Sequence, residues 1–422
     1  MNLSRFLASR TYSAFNQSLI RNIIRIAVIS TALSLSVVIV SSSVFEGFQK
    51  LIAQKVFGFW GHIHITDMQV NRSIEPYAIK HSDSIKYLIS HADFSPVNLP
   101  SDVIRKLESF VVLPAIVGMD AQYEGLFLKG IASDFDWEFL GQFLKSGRLP
   151  ELSDSVFSRD ILVSEQTALK LSLQPEQSLI ANFVIDGKQI KRKLKVCGTY
   201  RTGLEEYDRK FALVDIRMLQ QVLQWEPAEV TGIEVFAKDI QLVSELNDFL
   251  YEEILPSNLY SETIRDKFPN IFEWLSLQDI NKRFIIGLIL LVCIINMSTT
   301  LLILILERTH MIGLLSALGM RSWDQRKVFV RYGVRILTQG MLYGNLIGIG
   351  LCLIQWKYKF IKLSEADYYL DHAPVSLNPW TWLIVNVIFF VVISSSLLIP
   401  SYLVARIKPV NALKFRRQKI LS

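Results

Sequence analysis

The sequence predicts a membrane protein with four transmembrane α-helices and one large α+β extracytoplasmic domain between the first and second. Three observations carry this expectation. Half of the 422 residues are hydrophobic and mean hydropathy is +0.31, which leans toward the membrane class. Four stretches, 26–45, 284–306, 336–356 and 380–404, hold no charged side chain over the roughly 20 residues that a helix needs to cross a hydrocarbon core. The third is where the cations lie. Segments 1–25, 307–335 and 405–422 together carry sixteen basic and two acidic residues, whereas the remainder carries twenty-nine basic and thirty-seven acidic.

Each segment follows from these runs. Arg5, Arg10, Arg21 and Arg25 precede the first span, so 1–25 is expected in the cytoplasm by the positive-inside rule. That span has the basic lead and the Ser41-Ser42-Ser43 end of a cleaved signal peptide. Its apolar run exceeds an ordinary signal, and cleavage would put the later basic segments on the wrong side, so it reads as an uncleaved anchor. Segments 307–335 and 405–422 are expected on the same side, leaving both termini cytoplasmic. Pro374 and Pro379 make 357–379 an outer loop, and the fourth helix is expected from near Trp380, with Trp380 and Trp382 at an interface.

The domain at 46–283 is long enough for its own core. Strand patterns appear at 62–66, 111–117, 125–131, 179–185, 190–196, 211–214 and 233–237, and short helical patterns at 164–171 and 214–223. Ile240, Val243, Leu246 and Leu250 mark a longer amphipathic helix, and Asp186-Gly187 between two strand patterns signals a two-residue hairpin. His62 and His64 share one strand face, but no nearby Cys or carboxylate set completes a metal site, and a surface strand is expected there. The acids read as a scattered, solvated surface. No catalytic constellation or Gly-x-Ser-x-Gly elbow appears, and Cys197, Cys293 and Cys352 form no disulfide framework. The basic residues hug the span ends rather than forming an aromatic-laced patch, which argues against nucleic acid as a partner.

Nothing in the sequence supplies energy. The P-loop pattern Gly-x-x-x-x-Gly-Lys-Ser/Thr is absent, and the Gly187-Lys188 pair is followed by Gln189. No cofactor is expected in this chain, and a pump would need ATP and magnesium bound on a partner. Between 307 and 320, Met311, Leu314, Leu315 and Leu318 recur at i, i+3, i+4 and i+7. Gly319 suits a left-handed helix terminator, and Ser322 with Gln325 reads as a capping box for the next helix. Periodicity alone leaves two burial sites for the stripe: the membrane surface with its own spans, or a partner's groove.

The residues here resemble a known family. Glu307-Arg308, Ile312-Gly313-Leu314-Leu315 and Ala317-Leu318-Gly319 resemble the coupling signature of FtsX/MacB-type ABC permeases, and Pro400 through Ala405-Arg406-Ile407-Lys408-Pro409 to Ala412-Leu413 resembles that family's closing motif. Over nearly the whole chain the resemblance is to the lipoprotein-releasing LolC/LolE family. It includes 5–10, Phe45-Glu46-Gly47-Phe48, and Gly198-Thr199-Tyr200 through Gly203 to Asp208. The resemblance implies a bacterial inner-membrane permease that extracts acylated lipoproteins. It further implies a LolD-like ATPase dimer docking on Glu307, Arg308, Met311, Ile312, Leu314, Leu315, Leu318, Gly319 and Met320, a second permease subunit, and hand-over to a LolA-like periplasmic carrier. The helical line Val37, Val40, Val44, Phe48 and Leu51 is the candidate cargo lining. In LolC-type members the hairpin corresponding to 179–196 carries a proline-containing hook, whereas no proline lies between Pro175 and Pro227 here, so a LolE-like subunit or a homodimer with another docking mode is expected. The rivals are a MacB-like efflux permease, which usually has a fused ATPase, and an FtsX-like regulator of a cell-wall hydrolase, whose outer domain is typically smaller.

Overall fold

The computed structural model describes residues 18–69, 76–119, 122–133, 135–152, 157–364 and 368–402. The expectations for 5–10 and for the chain from 403 onward lie outside these residues. Two compact units emerge. One, helical, takes in the chain up to Gln49, Trp274–Lys362 and the chain from His372; the other, α+β, consists of Lys50–Glu273 and Leu363–Asp371.

Helix α1 (Ser18–Trp60) runs well beyond the charge-free stretch that ends at 45. Its later turns keep Ile52, Val56 and Phe59 buried at helical spacing, so the helix continues into the α+β unit. Gly61 ends it at φ +69°, with its N–H donating to Phe57 O at 2.8 Å. A side chain is unfavourable there, because an added Cβ would be strained and would lie 3.2 Å from Glu234 Cβ.

In the α+β unit the order is β1 (Ile63–Asp67), α2 (Ser82–Ser90), β2 (Ile104–Met119), β3 (Gln122–Ile131), α3 (Trp137–Gly141), β4 (Leu144–Gly147), β5 (Asp160–Ser164) and α4 (Glu165–Lys170). There follow β6 (Ser178–Ile185), β7 (Lys188–Tyr200), α5 (Glu205–Asp208), β8 (Phe211–Asp215), α6 (Ile216–Leu223), β9 (Gly232–Ala237), α7 (Val243–Phe249), β10 (Leu259–Thr263) and α8 (Ile264–Lys267). Among the described residues these strands form one mixed sheet in the order β10-β1-β9-β2-β3-β8-β5-β7-β4, with β6 pairing β2 and β7. The β3–β8 and β5–β7 pairs are parallel and the rest antiparallel. Long β2 pairs β9 with its first half and β3 and β6 with its second. Ile63, Val111, Leu128, Val214 and Leu246 belong to one apolar core.

All seven expected strands are present. The Asp186-Gly187 turn has both φ values positive, 49° and 70°, as a type I′ hairpin requires. Strand β1 is not a surface strand. It lies between β10 and β9 with Ile63, His64 and Ile65 fully buried, so pairing on both sides overrides the polar residues. The pattern at 240–250 is three pieces rather than one helix: a 3₁₀ turn at Ile240–Leu242, α7, and a π turn at Leu250–Ile254.

The helical unit contains most of α9 (Pro269–Glu307), α10 (Thr309–Ala317), α11 (Ser322–Tyr358), α12 (Pro379–Ser396) and α13 (Leu398–Ser401). Four helices are long and apolar enough to cross a membrane: Arg21–Trp60, Pro269–Glu307, Ser322–Tyr358 and Pro379–Ser401. Their large apolar side chains stay outward in number, among them Phe284, Leu346 and Val391, as segments solvated by lipid tails do. Asn378 caps α12 by accepting the Trp380 N–H at 3.0 Å. Gly340, Gly344 and Gly348 form a small-residue stripe on α11 against α1. A Cβ at Gly344 would lie 2.8 Å from Ala32 O, so these glycines permit the close helix crossing.

Candidate coupling helix and the two faces of helix 1

Helix α10 follows α9 after a single-residue break at Arg308, whose N–H bonds Ile305 O at 3.2 Å. The break turns the helix so that Ile312 and Gly313 are buried in the helical unit. Met311, Leu315 and Met320 are half-buried and Arg308 likewise, whereas Glu307 and Gly319 are exposed. Leu314 and Leu318 stand out at 50% and 77% exposure, one helical turn apart. The predicted stripe is therefore split: one edge packs inward and a leucine ridge faces outward.

The helix end is fixed by hydrogen bonds. Gly319 has φ +83°, and the pairs Gly319 N–Ser316 O and Met320 N–Leu315 O, both 3.0 Å, complete a Schellman motif. The capping box is absent. Arg321 occupies the N-cap position of α11, and buried Gln325 turns back so that its Nε2 donates to Ser316 Oγ at 2.9 Å and to Met320 O at 3.0 Å. Gln325 thus braces the elbow from the far side, a role that sequence spacing alone does not reveal.

On α1, the line Val37, Val40, Val44, Phe48 and Leu51 keeps Val37 exposed at 46% and the other four half-buried. Phe48 meets Trp274 edge-to-face at 6.4 Å. The reverse face of the helix, about 180° away at roughly 100° per residue, lines a cavity of about 260 Å³ with Ile39, Ser42, Ser43 and Glu46. Opposite them stand Ile349 on α11, Asn378 and Trp382. The wall is tight: Ser376 N donates to Ser43 O at 2.9 Å, and a Cβ at Gly47 would lie 2.8 Å from the Pro374 carbonyl group. Glu46 Oε1 accepts from Asn378 Nδ2 at 3.0 Å, while Oε2 is buried with no hydrogen-bond donor among the described residues. The sequence reading passed over this cavity, although a carboxylate placed directly after a charge-free run was a visible signal.

Within the α+β unit the last turns of α1 are held by charge. Lys129 is 1% exposed, and its Nζ donates to Phe59 O at 2.5 Å, pairs with Glu234 Oε1 at 2.7 Å and sits 4.3 Å from the Trp60 ring centre. An ammonium there complements the negative helix end. His64 Nε2 lies 2.9 Å from Trp60 O. Lys55 bonds the carbonyls of Thr202 and Tyr369, the latter at 3.0 Å. Asp208 accepts from Thr202 N, Thr202 Oγ1 and Gly203 N, and Tyr207 stacks on Phe59 at 5.4 Å. The 198–208 motif is therefore a clasp around the end of α1.

A few of the acids, Glu108, Asp160, Asp208, Asp215 and Glu234, are buried rather than solvated. Burial pushes Glu108 up to about 7 despite its Lys106 pair, and raises Glu234 and Asp208 against their own partners. Burial, with Arg105 nearby, lowers His62 to about 4, and burial lowers His64 well below the usual imidazole range. No group of three His, Cys, Asp or Glu among the described residues is arranged to hold a metal.

Residues 283–409 match the family model described as FtsX-like permease C-terminal. LolE of Haemophilus influenzae, a lipoprotein-releasing system transmembrane protein, is 23% identical over 94% of this chain and 95% of its own. LolC proteins of two Xylella fastidiosa strains are 21% and 20% identical over 92% of this chain and 93% of theirs. These matches run through the helical and α+β units alike: the chain is similar over more than nine-tenths of its length to LolC/LolE-type permeases, and its residues 283–409 to the FtsX-like permease C-terminal domain.

Proposed function

We propose that this chain is the membrane-spanning subunit of an ABC transporter that extracts acylated lipoproteins from a bacterial inner membrane and passes them to a LolA-like periplasmic carrier. The observation that carries the reading is the end-to-end alignment with lipoprotein-releasing LolE and LolC, which leaves no major part of the relatives unmatched. Lifting acyl chains from lipid costs about 0.8 kcal/mol per CH₂ group, so release of several chains needs an external energy source. With no P-loop in the sequence, ATP and magnesium belong on a separate LolD-like ATPase dimer. The Leu314–Leu318 ridge is its docking surface, and α10 and both termini lie in the cytoplasm, a reading supported by the excess of Lys and Arg beside them. The α+β unit is then periplasmic. Because the β6–β7 hairpin closes on a two-residue turn without a hook, the partner permease is a second copy or a homologue, and the carrier docks elsewhere than on that hairpin.

Depletion tests the reading. Acylated lipoproteins should accumulate in the inner membrane within a few generations, and normal sorting under depletion sinks it. Sorting left intact with cell-wall hydrolysis lost would support an FtsX-like regulator instead. Leu318→Arg should abolish co-purification of the ATPase while leaving membrane insertion unchanged.

A further inference from the structure

A larger cavity, about 680 Å³, lies wholly within the α+β unit where the last turns of α1 meet the end of β9 and helix α3, and its size is that of small-molecule sites, roughly 300–1,000 Å³. Its walls are aromatic: Phe57 on α1, Phe236 on β9, and Phe139 and Phe143 on and just after α3. Gly58 permits this closure, because a Cβ there would lie 2.2 Å from the Phe139 ring. The polar groups between the rings are mainly cations. Lys238 is engaged by Asp102 at 2.6 Å, and Lys55 by main-chain carbonyls. The one acid of the lining, Asp136, accepts the Phe139 N–H at 2.9 Å. Arg105 holds its guanidinium 5.5 Å from the Phe236 ring centre, and no described carboxylate pairs with it. His62 completes the set. Its Nδ1 accepts the Ala237 N–H at 3.1 Å, and burial with Arg105 and Arg265 lowers it to about 4, so at pH 7 the ring is neutral and the hydrogen-bond pattern puts its proton on Nε2. Although His62 is only 8% exposed, Nε2 has no acceptor among the described residues and is not sealed in the core as His64 Nδ1 is. A guanidinium and an imidazole N–H thus share one aromatic-walled space without an anion to receive them.

We propose that this cavity binds the phosphodiester of a phospholipid head group, with Arg105 and His62 as its donors. The planar guanidinium fork takes the two non-bridging oxygens, and His62 Nε2 donates to one of them. The glycerol and first methylenes then lie against Phe57, Phe139 and Phe143. A free phosphate ion offers the same oxygens but leaves those rings in water. Position favours the lipid as well. Leu51, on the α1 wall, follows the charge-free run 26–45 by six residues, a rise of about 9 Å along the helix, which is close to the depth of a head-group layer roughly 5–8 Å thick. This site goes beyond lipoprotein release and requires neither cargo nor ATPase.

The test titrates short-chain dihexanoylphosphatidylglycerol into the full chain in a neutral maltoside detergent, with binding read by calorimetry. Arg105→Gln should weaken the lipid about tenfold, the loss expected for a hydrogen bond between charged groups. Gln54→Glu, on a different element, brings a carboxylate to the lining and should weaken it to a similar extent. Both positions are exposed, so neither change threatens the core. Lys188→Gln removes an exposed cation on the β6–β7 hairpin and should leave the affinity as it was, which separates the cavity from general charge attraction. Absence of binding by the native chain, unchanged affinity in either cavity variant, or an equal loss in Lys188→Gln overturns the proposal. Inorganic phosphate and triglutamate are titrated into the same sample, and both should bind more weakly than the lipid. Phosphate binding as tightly as the lipid assigns the site to the free ion, and tighter triglutamate assigns it to an acidic peptide; either result sinks the lipid reading.

Discussion

In the α+β unit several of the polar groups removed from water are charged: Lys129 with Glu234, Lys55 on two carbonyls, and Asp208 on two N–H groups. In the helical unit the buried links between helices are neutral. Asn345 and Asn386 exchange amide hydrogen bonds at 2.7 and 3.0 Å, and Asn296 donates to Ser30 at 2.7 Å. The difference reflects what surrounds each unit. A buried ion pair in a water-solvated domain can draw on further hydrogen bonds for compensation, as Lys129 does at Phe59 O. Within a bilayer each charge carries a heavy insertion cost, so amides and hydroxyls join the helices instead. Glu46 is a carboxylate among these neutral links, accepting a hydrogen bond from Asn378 at 3.0 Å.

The largest effect should come from breaking the charged core. Lys129→Met leaves Glu234 buried without its cation and should cost about 3–5 kcal/mol, read by denaturant unfolding of the purified chain. Adding Glu234→Leu to that variant should recover most of the loss; if Lys129→Met alone costs under about 1 kcal/mol, the charges are not what holds the end of α1.

The next effect depends on pH. His62 has a folded pKa of about 4 against 6.5 for the free group, so between those values the unfolded chain binds more protons and stability rises with pH. The His62 contribution is full above pH 6.5 and is lost as pH falls toward 4, by up to about 3 kcal/mol. Glu108, raised to about 7 from 4.5, acts in the opposite sense over much of that window, since the folded state holds the proton longer. His62→Gln should therefore make stability climb less from pH 4 to 6.5 than in the native chain; an unchanged slope shows that His62 is protonated when folded.

In the helical unit the expected effects are smaller. Gly344→Leu would force a side chain against the Ala32 carbonyl and should cost about 1–3 kcal/mol in thermal unfolding in detergent. Asn386→Leu removes the reciprocal amide pair and should cost only about 0.6 kcal/mol. A loss as large as that of Lys129→Met would erase the contrast between the units.

Legibility in the sequence followed the range of the forces involved. The spans, the Asp186-Gly187 hairpin and the Gly319 terminator were readable because each depends on a few adjacent residues. Strands β4, β5 and β10 were not. Leu144–Gly147 is an edge strand held by main-chain bonds to β7, and Leu259–Thr263 contains Ser and Glu, so neither shows a clear apolar pattern. The stripe on α10 was readable as a helix face, but not which edge of it would be buried. Gln325 reads as a capping residue in sequence and works as a brace in space.

By itself the sequence determined the four long apolar helices, the α+β domain between the first two and the charge asymmetry, because hydropathy and charge act along the chain. Only the tertiary structure decided that His64 and Glu234 are interior, that Leu314 and Leu318 rather than Ile312 face outward, and that Glu46 meets Asn378. These depend on which distant segments exclude water from a given atom, and a linear pattern does not encode that.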